Sequence, residues 1–202
     1  MLDRFNYFHE KFSKSELARA MMNEREDSPW HRESSVWRHT QMLLDWYKDN
    51  LFSSRSDGMR MLTMVASLMH DIGKPSSRIV TLKEDGSEKR GYHGHEIRSA
   101  RMWINFAVDN SEVRDLLRFN MEDISFVALM LEHHVPFALK KVAKREALKS
   151  AFFNRKGEQG HQAWLDLLMS DQMGRISDNK ADKIAKVEEW MEEWKLVRVS
   201  IV

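Results

Sequence analysis

The chain has 202 residues, 32 Lys plus Arg against 31 Asp plus Glu, a net charge of +1 and no cysteine. That length suits one packed domain over 1–202, the balanced charge argues against bulk electrostatic binding of nucleic acid, and the missing thiols exclude thiolate chemistry. No stretch reaches the roughly 18 apolar residues of a membrane span, and the opening MLDRFNYFHEKF has no apolar signal core, so a cytoplasmic protein is expected.

Apolar residues recur every three to four positions, interrupted by only three prolines and eight glycines, which predicts an all-α fold. The first helices are expected over 2–12, with His9 among Phe5, Phe8 and Phe12, and over 15–25. In the next, 34–49, Val36, Thr40, Leu43, Trp46 and Tyr47 share a face and His39 points inward with them. A helix over 57–70 has Leu62, Val65, Ala66 and Met69 as its apolar face, with His70 at the edge. It closes in LMHDIGKP, residues 68–75. Adjacent residues on a regular helix face apart; Gly73 and Pro75 end the helix, so His70 and Asp71 can converge there, with Lys74 three residues on.

From 78 to 92 two β-favouring or polar runs flank Asp85-Gly86, which predicts a small β-ribbon. A helix over 95–108 aligns His95 with Ser99, Met102 and Phe106, and this alignment favours His95 over His93 as the inward residue. Helices over 111–119 and 122–134 follow; in the second, His134 continues the face of Val127 and Leu131 while His133 lies about 100° away. The next helix, 143–152, overlaps the concentrated basic stretch ALKKVAKREALK, residues 138–149, which either guides an RNA end or is a solvated face. In helix 159–173, Asp171 sits on the face of Trp164, Leu167 and Leu168, where an unpaired carboxylate is costly. His161, about 15 Å earlier along that axis, cannot share an ion with it. A last helix is expected over 179–195.

A single histidine on an apolar face is most often a hydrogen-bonded core residue. Four inward histidines, His39, His70, His95 and His134, joined by Asp71 and Asp171, instead match what a divalent cation surrounded by helices requires.

The same succession, His39, His70-Asp71, His95, His133-His134 and Asp171, resembles the HD superfamily of metal-dependent phosphohydrolases. Its local motifs are most similar to the HD module of bacterial tRNA nucleotidyltransferases, the CCA-adding enzymes: HRESSVWRHTQMLL, LMHDIGKP, GYHGHE, LEHHVP and SDQMGR, spanning about 28–176. Arg32 stands where that module's first motif has proline, no Gly-rich nucleotidyltransferase motif or Asp-x-Asp pair precedes the module, and no Gly-Tyr-Pro loop of the cyclic-di-GMP hydrolases follows HHVP.

The resemblance implies an HD-domain helical bundle and a free-standing phosphohydrolase acting on nucleotides or RNA ends, as a 2',3'-cyclic phosphodiesterase or nucleotide phosphomonoesterase, through a metal-activated water. His39, His70, Asp71 and Asp171 would hold one ion, and His95 and His134 a second bridged by Asp71. Manganese, nickel, iron, cobalt and magnesium all suit nitrogen and oxygen ligands. Lys74 and Arg175 are the leading residues to neutralise phosphoryl oxygens, with Arg98 and Arg38 behind them and His133 as a further substrate-facing group. Two alternatives stay open: a mononuclear nucleoside mono- or triphosphate phosphohydrolase, and a non-catalytic metal- and nucleotide-binding module. No protein partner is implied.

Overall fold

A computed structural model describes residues 1–26, 32–135 and 142–199. The chain runs through α1 (Leu2–Ser13), α2 (Glu16–Asn23), α3 (Val36–Asn50), a 3-10 turn (Phe52–Ser54), α4 (Asp57–Met69) and the short α5 (Lys74–Ser77). It continues with β1 (Ile79–Leu82), β2 (Glu88–Gly91), α6 (His95–Asp109), α7 (Ser111–Leu117), α8 (Met121–Glu132), α9 (Val142–Met173) and α10 (Lys180–Val199). The fold is all-α, as expected. Its one small antiparallel ribbon among the described residues pairs Ile79 with Gly91 and Leu82 with Glu88, and Gly86 turns it with φ 78°.

Polar residues just before the helices start them. Ser15, Ser35, Ser56 and Asn120 each accept a hydrogen bond from the backbone N–H three residues on, at the heads of α2, α3, α4 and α8. Once started, α4 becomes the centre of the molecule. Periodicity assigns it one apolar face, but α1, α3, α8 and α9 all pack on it, and every residue from Met61 to Lys74 is buried. His70 therefore lies inside the protein and not at an edge.

The helices expected over 143–152 and 159–173 are the two helical segments of α9, separated by a kink with non-helical backbone at Lys156 and Gly157. Gly157, at φ 58° and ψ −148°, reverses direction enough for Phe152 to stack on Trp164 with ring centroids 4.9 Å apart. From the other side α10 docks through buried Val187 and Trp190, whose ring lies 6.5 Å from Trp164. One contiguous buried cluster runs from Phe5 in α1 to Trp190 in α10. No described helix is long and apolar enough to cross a membrane.

Candidate metal centre

α4 stops at Met69, and the chain turns so that the Lys74 N–H donates to the Asp71 carbonyl at 3.0 Å. His70 Nδ1 lies 2.8 Å from the Ser67 carbonyl, one turn back. A carbonyl only accepts, so Nδ1 carries the hydrogen and Nε2 presents its lone pair. That lone pair is aimed at carboxylates: Asp71 Oδ2 at 3.0 Å and Asp171 Oδ1 at 3.7 Å.

Two close helix contacts bring the distant ligands in. A side chain at Gly73 would meet the His95 carbonyl at 2.5 Å and the Ser99 N at 2.7 Å. The Gly73 N–H instead donates to Ser99 Oγ at 2.9 Å, which sets the N-terminus of α6, and with it His95, against Asp71. At the other end of the site a Cβ on Gly174 would strike the Leu43 backbone N at 2.8 Å, so the end of α9 lies directly on α3. His39 Nε2 and Asp171 Oδ1 are consequently 2.9 Å apart.

His95 and His134 complete a second group. His95 Nδ1 donates to the Tyr92 carbonyl at 2.7 Å, and His134 Nδ1 to the Leu131 carbonyl at 2.6 Å. Both Nε2 atoms are then acceptors, yet they face each other at 3.2 Å and face Asp71 Oδ1 at 3.3 and 3.4 Å. Three acceptors at such spacing repel unless a cation sits among them. The edges of a tetrahedron or octahedron with bonds of about 2.1 Å measure about 3.0 to 3.4 Å, so the donor set fits a metal ion.

Two of the groups that could hold an ion are thus His39–His70–Asp171 and Asp71–His95–His134, with ligand atoms in each within 4.8 Å of one another. The five residues read from helical faces, and Asp71 read from the helix end, meet here. His134 arrives by a different route than expected, because α8 ends at Glu132 and His133 leaves helical geometry with φ −119° and ψ 21°. His133 belongs to neither group; its carbonyl accepts from Trp164 Nε1 at 3.0 Å.

Electrostatics keep the carboxylates charged. Burial alone would raise the pKa of Asp71, but His70 and Lys74 hold it well below the usual carboxylate range. Burial likewise opposes ionisation of Asp171, and Arg175 and then His39 overcome it, again lowering its pKa. Lys74 Nζ contacts Asp71 Oδ2 at 2.8 Å and also bonds Glu26, and Arg175 Nη2 donates to Asp171 Oδ2 at 2.6 Å. Burial lowers the His134 pKa, which leaves it the neutral imidazole a metal ligand needs. For His70, burial pulls down while Asp71 and Asp171 pull up, with a net rise.

Glu26 and Glu33, which helical periodicity does not single out, are both buried and form a third acidic group with His39. Backbone bonds between residues 26 and 34 in both directions fold that segment inward, and Glu33 Oε1 accepts from the Ile176 N–H at 2.6 Å. Glu33 Oε1 lies 3.7 Å from His39 Nδ1, where a carboxylate orients the ring.

Beside the cluster opens a cavity of about 300 Å³, whose wall includes Asp71, Lys74, His95 and Arg175, together with Arg25, Arg90 and Lys183. Arg38 and Arg98 are exposed and do not line it. His93 is exposed on its wall, outside both ligand groups. His9 is stacked on Trp37, ring centroids 5.6 Å apart, and buried His161 donates to the Lys149 carbonyl, so both are packing residues. Of the basic stretch 138–149, Lys140 and Lys141 lie outside the described residues, as do the side chains of Lys144 and Arg145; Lys149 is buried, 3.8 Å from Glu146.

Binding to the native state alone stabilises it, by about 2.7 kcal/mol when free ion is 100 times its dissociation constant. For a chain of this size that is a Tm rise of about 5 to 11 °C. Thermal unfolding with manganese, nickel, cobalt, iron or magnesium, before and after chelator, measures it. A Tm indifferent to all five ions would contradict a metal centre here. No family model and no curated protein matches this chain.

Proposed function

We propose that the chain is a divalent-metal-dependent phosphohydrolase acting on nucleotides or RNA ends, hydrolysing 2',3'-cyclic phosphodiesters or phosphomonoesters. One observation carries this: two groups of imidazoles and carboxylates meet where Asp71 of one contacts His70 of the other, and they adjoin a cavity lined by Lys74, Arg175 and further cations. Ions bound there would supply Lewis acidity and a water nucleophile active near neutral pH.

The chain's own residues then have distinct tasks. His39, His70 and Asp171 would hold one ion, and Asp71, His95 and His134 the other; Asp71 turns one oxygen to His70 and the other to His95 and His134. Carbonyls of Ser67, Tyr92 and Leu131 fix the ring orientations. Lys74 and Arg175 grip Asp71 and Asp171 from the cavity side, so their charge steadies the ligands and faces the phosphoryl oxygens of a bound substrate.

The test is a panel of 2',3'-cyclic nucleotides, nucleoside monophosphates and RNA ends with each divalent ion. Turnover is expected only with added ion. Undiminished turnover after exhaustive chelation would overturn the metal dependence, and release of pyrophosphate or triphosphate from nucleoside triphosphates alone would move the assignment to the mononuclear alternative.

A further inference from the structure

Beyond the ligand groups, the cavity has a second cationic wall assembled from three separate parts of the chain. Lys183 comes from α10, Arg25 from the segment after α2, and Arg90 from β2. Lys183 stands four and seven residues before Val187 and Trp190, which α10 buries. It occupies the inward stripe of that helix, at the point where the stripe passes over the cavity.

The opposite wall is equally anchored. Tyr92, at the end of the ribbon, bonds buried Glu24 through its hydroxyl at 2.9 Å, with the Arg25 carbonyl 3.0 Å away. This ties β2 to the segment carrying Arg25 and holds both arginines at the cavity. Like charges crowd within it. Burial, then Arg175, bring Lys183 down to about 8; Arg90, which also bonds Glu88 at 2.9 Å, and Arg25 stand with Lys183 on the same cavity wall, where an anion can be met from three sides.

We propose that Lys183, Arg25 and Arg90 form a second anion subsite that selects substrates carrying a further phosphate beside the one hydrolysed at the metal centre, which rests on the phosphohydrolase reading. A dianion suits two guanidinium forks and one ammonium. That second phosphate belongs either to a polyphosphate chain or to the sugar-phosphate backbone of an oligonucleotide end.

Calorimetric titration of the metal-loaded protein distinguishes these, with adenosine monophosphate as reference. Adenosine diphosphate represents the chain; adenosine 3',5'-bisphosphate and a 3'-phosphorylated dinucleotide represent the backbone. At least one of them is expected to bind about tenfold more tightly than the monophosphate, the size of one charge-assisted contact. Lys183→Ala should bring that ratio toward one, Lys183→Arg should retain most of it, and Arg25→Ala with Arg90→Ala should act like Lys183→Ala.

Tighter diphosphate supports the subsite and assigns the phosphate to a chain; tighter bisphosphate or dinucleotide supports it and assigns the backbone. A wild-type ratio near one, or a ratio unchanged in a folded Lys183→Ala, overturns the subsite. If monophosphates are still hydrolysed with metal, only the subsite falls. If nothing on the panel binds or turns over, the phosphohydrolase reading falls with it.

Discussion

Asp71→Ala is expected to cost about 10³-fold or more in metal-dependent hydrolysis and to disturb both ligand groups, because its carboxylate belongs to one of them and contacts His70 of the other. Its Oδ2 faces His70 and Lys74, and its Oδ1 faces His95 and His134. No other side chain in the cluster contacts three imidazoles. The fold should survive the loss. Lys74 keeps its bond to Glu26, and Met61 to Met69 remain enclosed by four helices. Metal content by elemental analysis, turnover and circular dichroism on one preparation measure all three. A folded variant with wild-type metal and turnover would remove Asp71 from the centre.

The adjacent pair His133 and His134 should respond very differently. His134→Ala removes the Nε2 that lies 3.4 Å from Asp71 and 3.2 Å from His95, so bound metal should fall from about two ions toward one and turnover by about 10²-fold or more. His133→Ala removes a ring that does not line the cavity, while the carbonyl that accepts from Trp164 stays; a loss under about tenfold is expected. Equal losses, or a wild-type protein with one ion whose turnover survives removal of both His95 and His134, would favour a mononuclear enzyme.

Helical periodicity reaches the ligands because each sits on, or within two residues of, a helix whose apolar face is already evident. His39 and Asp171 are read that way, and the buried 2.9 Å contact between them agrees. His134 is read the same way although α8 has ended, since the turn after Glu132 keeps it under Leu131. What periodicity cannot see are residues placed by irregular backbone. Glu26 and Glu33 look like part of a solvated charge run, and only the pairing of residues 26 and 34 turns them inward. Arg38 and Arg98 err in the other direction. They stand near ligands in the chain, but helix geometry points them to solvent. Gly73 is legible as a helix stop, with φ −80°. Its further need to be glycine comes from α6, a neighbour that no local pattern announces.

The separation between the two halves of the first ligand group has a consequence for the order of folding. His39 and Asp171 are 132 positions apart, whereas His70 and Asp71 are neighbours. At a synthesis rate of about 5 to 20 residues per second, roughly 7 to 26 s pass between emergence of the first and the last of these ligands from the translating ribosome. During that time a nascent chain offers His39 and His70 without the carboxylate that faces them. Contacts so distant in the chain also pay their loop-closure entropy late. Capture of an ion in that group would therefore wait for the end of α9 to lie down on α3.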